Sequence, residues 1–428
     1  MKCAFCNVGS RGDLQPLVAL ALGFQAKGWD VVVISEERNR ALAESFSLSF
    51  RAIAGDLAGI VFEEEHAEML VKGRLLKMIQ EMRREMERRK KMSWDQALKD
   101  WVETTRDVQL IVSGPLTCNE TYSLAEKLGV PWVPVMFGPY FPTREFPNPF
   151  VMESNWFSWL NLFSFNFFCW AMWQKQSSET NAFRAELGLE PLLCRRGMLS
   201  VVEEKELLMI GAFHEIFIPT QRVPADWKSH MLVRNFLFVP KTPEDSLDLE
   251  VQEFLAKSEG TGVIYLGLGS MPAPPKDLME LVRKIVQTLE VKAVLCAGWS
   301  GVTNSELEEI LVVKSCPHDL LFPKCKVILH HAGVGTCAAA LRSGVPSVCL
   351  PVLMDQFSNA NQLAKLGVAP PSIPFRNVPS SHGAVLEAVR FALESVEMMA
   401  KAQEMSRRLE ESDGTALCVE KILQTYFE

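Results

Sequence analysis

Apolar runs and helical stretches alternate along the chain. KCAFCNV, the polar loop GSRGD, the segment LQPLVALALGFQAKG closing at Gly28, and the run VVVIS read as strand, glycine turn, helix and strand, a βαβ unit. The strands are apolar throughout instead of alternating with polar positions, which predicts a parallel sheet covered by helices on both faces. Runs of the same kind return at LIVSG (110–114), VPWVPVMFG (130–138) and LLMIGAF (207–213), so the first half is expected to be α/β. The stretch 219–260 carries Pro219, Pro224, Pro240 and Pro243 with the acidic run PEDSLDLE, the composition of a crossing segment and linker. The rhythm then restarts with GVIYLGLGS (262–270), a helix over 276–290, AVLCAGW (293–299), VILHHAGVGT (327–336), a helix to Ser343 and PSVCLPV, and from Val385 onward only helical periodicity is left. Two α/β domains are expected, 1–240 and 261–404, with a linker at 241–260.

Length agrees with this division, because 428 residues exceed one ordinary domain, and 48% hydrophobic against 22% charged residues can fill two cores. With 44 Lys and Arg against 52 Asp and Glu, the net charge of −8 argues against nucleic acid as the main partner. The 11 cysteines are scattered without CxxC pairs, and Cys3 and Cys6 sit inside an apolar run, so reduced thiols and a cytoplasmic setting are expected. The opening apolar run is too short for the core of a secretion signal. WFSWLNLFSFNFFCWAMW (156–173) is aromatic and nearly long enough to span a bilayer, but Asn161, Ser164 and Asn166 interrupt it. A buried or interfacial helix with peripheral membrane contact is the expectation there. The stretch 72–91, with Arg and Glu interleaved, reads as a solvated helix.

The chemistry concentrates at two strand-glycine-helix junctions, GSRGD and HHAGVGT, each a candidate anion cradle. On the residues alone, Gly333-Val334-Gly335-Thr336-Cys337-Ala338 also matches the GxGxxG/A fingerprint, with Asp355 about twenty residues on, so a dehydrogenase stays open. His331, directly before the helix, offers a donor or a positive charge beside a diphosphate, while His330 faces the other way on a continuing strand. Asp355 and Gln356 supply an acceptor and an amide of the kind that hold sugar hydroxyls. Asp13 is either the N-cap of the first helix or a general base for an acceptor hydroxyl. No DxD sequence and no metal-ligand spacing occurs, so no metal is expected.

GSRGDLQP, FRAELGLEPL (183–192), VIYLGLGSMP (263–272), CPHDLLFPKCKVILHHAGVGT (316–336) and GVPSVCLPVLMDQFSNANQLAKLGVAP (344–370) follow in this order. Together they resemble the sterol glucosyltransferases and the glycopeptide-antibiotic glycosyltransferases, nucleotide-sugar-dependent enzymes of the GT-B fold, over nearly the whole chain. The resemblance implies two Rossmann-like domains facing a cleft, acceptor domain first and donor domain second, with a C-terminal helix (405–428) crossing back to the first. It implies Asp13 as the base, Ser10 and Arg11 facing the donor, and Ser270 as a phosphate contact. It places Cys316 and His318 at the uracil, His331, Val334, Gly335 and Thr336 on the diphosphate turn, and Asp355 and Gln356 on the sugar hydroxyls. The activity it implies is inverting, metal-independent transfer of a sugar, glucose from UDP-glucose, onto a hydroxyl of a lipophilic acceptor. Aromatic residues between Phe141 and Trp173 favour an apolar scaffold such as a sterol. A non-catalytic nucleotide-sugar-binding subunit is the alternative. The sequence departs from the family's HHGGAGTT at Ala332, Val334 and Cys337. It carries Ser315 and Ala339 where plant small-molecule glucosyltransferases place a stacking Trp and a ribose-binding Glu, and Phe357-Ser358 only partly keeps the aromatic pair after DQ.

Overall fold

The computed structural model describes residues 1–55, 81, 96–151, 157–240, 246–269, 271, 274–298, 300–303 and 305–428. The expected helix over 72–91 (apart from Glu81), the start of the aromatic run and Ser270 lie outside the described residues. The chain divides into two compact units: of the described residues, the first holds 1–55, 96–240 and Ser412–Glu428, and the second holds Glu81 and 246–411.

Among the described residues of the first unit, seven parallel strands lie in the order β3-β2-β1-β4-β5-β6-β7. They are β1 (Lys2–Cys6), β2 (Asp30–Glu36), β3 (Ser49–Ile53), β4 (Leu110–Ser113), β5 (Trp132–Met136), β6 (Met209–Gly211) and β7 (Met231–Val233). Cys3 faces Val31 of β2 on one side and Leu110 of β4 on the other. The strand order therefore reverses between β1 and β4, and open α/β sheets bind ligands beyond the carboxyl ends of the strands at such a point. Helix α1 (Arg11–Ala26) starts there and buries Leu14, Leu17, Val18, Leu20, Ala21 and Phe24.

The last helix, Gly414–Tyr426, packs on α1 so closely that a Cβ on Gly23 would lie 2.8 Å from Val419. Trp29 meets Phe427 edge-on at 4.8 Å, and Asn235 Nδ2 donates to the Ser412 carbonyl at 2.9 Å. The return to the first unit thus begins at Ser412, later than the expected 405. The helix before it, Val396–Glu410, is held in the second unit, where Ser406 Oγ donates to the Arg342 carbonyl at 2.7 Å.

Helix α2 (Ser158–Glu186) is built inside-out over its aromatic half. Asn161 and Ser164 are buried and hydrogen-bonded to the protein: Asn161 Nδ2 donates to the Arg144 carbonyl at 3.0 Å, and Ser164 Oγ accepts from the Asn148 amide at 2.8 Å. Trp159, Phe163, Phe167 and Trp170, at helical spacing, are exposed instead; the Phe163, Phe167 and Trp170 rings follow one another 5.9 Å apart. The polar interruptions in the aromatic run are therefore its protein-facing side. Among the described residues no helix is long and apolar enough to cross a membrane. All 11 cysteines are free.

Among the described residues of the second unit, five parallel strands lie in the order β10-β9-β8-β11-β12. They are β8 (Val263–Gly267), β9 (Lys292–Cys296), β10 (Ile310–Val313), β11 (Val327–His330) and β12 (Ser347–Cys349). The order reverses between β8 and β11, again creating a ligand-binding crevice at the carboxyl ends. Helices α3 (Val334–Ser343) and α4 (Gln356–Lys365) start at that end. The expected linker 241–260 is corrected in part: Leu249–Ala256 is helical, and Leu247 and Val251 are buried with Val263 and Tyr265 in this unit's core. Their apolar spacing under an acidic surface explains why composition alone read as linker.

Candidate active site

Asp13 lies at the β1/β4 switch point, on the first turn of α1. The helix starts at Arg11 with Ser10 as its N-cap, so Asp13 is the third helical residue and not the cap that spacing suggested. Its Oδ2 accepts from the Ser10 amide at 2.8 Å and from Ser10 Oγ at 2.7 Å, closing a capping box. Burial pushes the carboxyl above its ordinary value, and the Ser10 bonds oppose that rise. A carboxylate made more basic by burial suits proton abstraction.

The loop that carries it is tightly held. Gly9 has φ +108°, its amide donates to Glu36 Oε2 at 3.2 Å, and its carbonyl accepts from Asn39 Nδ2 at 3.2 Å. Asn7 Nδ2 donates to the Asp13 carbonyl at 2.8 Å. Glu36, Asn39 and Asn7 were not singled out from the sequence, and no spacing signal marks them. Arg11 is exposed and bonds Gln15 at 3.2 Å.

At the β8/β11 switch point, His331 directly precedes the turn into α3. Its ring is buried between two glycines: a Cβ at Gly269 would lie 2.8 Å from Cε1, and one at Gly333 would collide with Nε2. Burial lowers its pKa to about 4, so it is neutral at pH 7 and acts as a hydrogen-bonding group, not as the positive charge that was one expectation. Its Nδ1 is buried without a partner among the described residues. An orphaned buried polar atom carries a penalty that a ligand oxygen would remove.

Gly333 caps α3 without any side-chain bond, so the amides of Val334, Gly335 and Thr336 begin an open helix N-terminus. Gly335 is exposed, and a Cβ placed there would meet nothing within 4 Å. His330 faces the other way, accepting from the Ala332 amide through Nδ1 at 3.2 Å, and burial lowers its pKa to about 3.

His318 begins a short helical turn, His318–Leu321, beyond β10. Its ring stacks on Phe322 at 4.4 Å and its Nε2 lies 3.1 Å from Tyr265 Oη, so it is held in one orientation. Cys316 is half-buried just before it, and burial pushes its thiol to about 12, leaving it protonated.

Asp355 and Gln356 sit where the loop after β12 enters α4. Gln356 is buried; its Oε1 accepts from the Val352 and Leu353 amides at 2.8 and 3.1 Å, and its Nε2 points at Met271 Sδ at 3.2 Å. The amide therefore holds the loop and keeps at most one N–H hydrogen for a ligand. Asp355 Oδ2 accepts from Asn359 Nδ2 at 3.0 Å.

FRAELGLEPL serves structure: the buried Arg184 donates to the Glu190 carbonyl at 2.7 Å and to Glu126 at 2.8 Å. Phe141 and Phe146 are also core residues, packed around Trp227 at 5.0 and 6.4 Å, whereas Trp159, Phe163, Phe167 and Trp170 of α2 are exposed.

Residues 3–147 match the Glycosyltransferase family 28 N-terminal domain, and residues 287–413 match the C-terminal domain of erythromycin biosynthesis protein CIII-like proteins. The chain has the two-domain GT-B fold. A sterol 3-beta-glucosyltransferase of Komagataella phaffii is 27% identical over 436 residues, covering 99% of this chain and 34% of that protein. One from Arabidopsis thaliana is 26% identical over 436 residues, covering 98% of this chain and 67% of its own. The chain thus spans a third of the first relative's length. The solved glycotransferase of kitacinnamycin has TM-score 0.70 at 16% identity, covering 99% of both chains. Spinosyn rhamnosyltransferase SpnG, complexed with thymidine diphosphate, has TM-score 0.63 at 16% identity over 99% of this chain and 100% of that one. The GxGxxG/A match forms the start of α3 in the second unit. The acidic residue that a dinucleotide would need at the next strand end is absent, because β12 closes at Cys349 and Asp355 lies in the loop beyond.

Proposed function

We propose that this GT-B chain transfers glucose from UDP-glucose to a hydroxyl of a lipophilic, sterol-like acceptor, with inversion and without a metal. The observation that carries the reading is the start of α3, which has no side-chain cap, beside the buried His331 Nδ1, which has no partner among the described residues. The carboxyl needed for the other half of the reaction is supplied by Asp13. The names of the sterol 3-beta-glucosyltransferase relatives support the acceptor class.

Asp13 takes the hydroxyl proton as the acceptor oxygen attacks the anomeric carbon opposite the diphosphate. The bond from that carbon to the phosphate oxygen breaks, and UDP leaves with the electron pair. The α3 amides and the neutral His331 donate to the phosphate oxygens as their charge grows. Ser270 is assigned to the same phosphates, His318 and Cys316 to the base, and Asp355 with the remaining Gln356 hydrogen to the sugar hydroxyls. Metal independence is proposed on these donors, which meet the charge that develops on the phosphate oxygens. The exposed aromatic face of α2 supports peripheral contact with the membrane in which such an acceptor dissolves.

The test is radiolabelled sugar transfer to sterol, flavonoid and lipid acceptors, from UDP-glucose and from a thymidine-diphosphate sugar, with and without excess EDTA. Transfer from UDP-glucose to a sterol that survives EDTA is expected. Loss restored by Mg²⁺ or Mn²⁺ would remove the metal-independent mechanism, and donor binding without any transfer would make the chain a binding subunit.

A further inference from the structure

Asn359 lies one turn into α4 and is buried. Its amide nitrogen carries two hydrogens, and the structure gives each one an acceptor. One goes to the Ala332 carbonyl and the other to Asp355 Oδ2, both at 3.0 Å. The first acceptor belongs to the turn that opens α3, and the second to the carboxylate assigned to the sugar. Gln356, on the same helix, ties the loop after β12 and reaches Met271 beyond β8. The N-terminal turn of α4 therefore gathers the loops at the carboxyl ends of β8, β11 and β12.

The Ala332 contact matters because Ala332 has φ +63°, in the left-handed region that favours glycine. A residue with a Cβ stays there only when its surroundings hold it. Asn359 does so through the carbonyl of the peptide that leads into Gly333, the cap of α3. The Asp355 contact matters because it fixes one carboxylate oxygen, and an acceptor held in a set orientation is more selective among hydroxyls.

We propose that Asn359 is a positioning residue that couples the diphosphate turn to the sugar-binding carboxylate, so that one amide nitrogen keeps both parts of the donor site in register. The proposal rests on the donor-site reading above. Its signature is two separable losses. Removing the bond to Ala332 loosens the turn and weakens binding of the nucleoside diphosphate itself. Removing the bond to Asp355 changes only what the sugar adds to that binding.

The experiment titrates UDP and UDP-glucose calorimetrically into wild type, Asn359→Ala, Asp355→Ala and the double variant, with melting temperatures alongside. Asn359→Ala is expected to weaken UDP at least fivefold and to shift the UDP-glucose to UDP affinity ratio at least fivefold. In the Asp355→Ala background the ratio shift should vanish while the UDP loss persists. Asn359→Asp keeps the side-chain volume but turns an acceptor toward two acceptors, so it should be worse on both counts. If Asn359 only supports the fold, the melting temperature falls, the ratio stays put and the losses are equal in both backgrounds; that result overturns the proposal. Should Asn359→Ala fail to fold, Asn359→Asp and Asn359→Ser carry the same comparison. Wild type that binds neither UDP nor thymidine diphosphate removes the donor-site reading together with this inference, whereas normal binding with unaltered Asn359 variants removes the inference alone.

Discussion

After β1 the chain turns through Gly9 and Ser10 into α1; after β11 it turns through Ala332 and Gly333 into α3. Both turns stand at the point where a parallel sheet reverses its strand order, and both present a helix N-terminus with its partial positive charge. In the first, the Ser10 amide and hydroxyl are already bonded to Asp13, which also brings a carboxylate into the first helical turn. A phosphate there would meet a negative charge and occupied donors. In the second, glycine caps the helix without a side-chain bond, and His331 holds an unsatisfied nitrogen beside it. The same backbone device is closed around an internal carboxylate in one unit and has no side-chain cap in the other.

The sharpest way to break that contrast is Asp13→Asn. The amide still accepts from Ser10, so the capping box survives and stability changes little, but the proton acceptor is gone. Turnover should fall by about two to four orders of magnitude. Near-normal turnover with an unchanged melting temperature would reduce Asp13 to a capping residue and leave the first turn without a chemical role.

His331→Ala probes the open turn. Losing a hydrogen bond to a charged phosphate costs about 1.5 to 3 kcal/mol, so UDP and UDP-glucose should both bind about 10- to 100-fold more weakly. Loss for UDP-glucose alone would move His331 from the diphosphate to the sugar. The same residue gives a pH signature. Its folded pKa of about 4 lies below the ordinary histidine value of 6.5, so between these values the unfolded chain binds more protons than the folded one. Stability from neutral His331 is therefore present above pH 6.5 and is lost as the pH falls toward 4. Melting temperatures measured from pH 7 to about pH 4.5 should drop further in wild type than in His331→Ala, and parallel curves would contradict the buried neutral ring.

How far the sequence foretold this contrast depends on the range of the interactions. Uniformly apolar strands between helices were legible as two parallel α/β sheets, because burial on both faces is written into each run. The two glycine turns were also legible, yet they looked alike, since Ser10 and Gly333 declare their roles only through local hydrogen bonds. Asn359 and Glu36 could not be picked out, because the Ala332 carbonyl and the Gly9 amide that they hold lie 27 positions away, beyond any spacing rule. The aromatic run around Trp159 was visible as unusual, but which side faced inward was decided by the partners of Asn161 and Ser164. The stretch 241–260 misled for a similar reason: Val251 is buried by strands that follow it in the chain.

The smallest expected effect belongs to Ser10→Ala, and it tests whether the closed turn tunes its base. Ser10 Oγ donates to Asp13 Oδ2 at 2.7 Å, and that bond holds the carboxyl down against the rise that burial causes. Removing the hydroxyl takes away one stabilising donor from the ionised form, so the Asp13 pKa should rise further. A higher pKa means that the carboxylate is protonated, and inactive as a base, up to a higher pH. The acid limb of the kcat/KM profile should therefore shift to higher pH, while the rate on the plateau changes little because a more basic carboxylate still abstracts the proton. The lost cap should also lower stability by about 1 kcal/mol, since the Ser10 amide keeps its own bond to Asp13 and only the side-chain part of the box is gone. An acid limb that stays in place, in a variant with the expected small loss of stability, would show that the titrating base is some group other than Asp13 and that the capping box has no part in setting it.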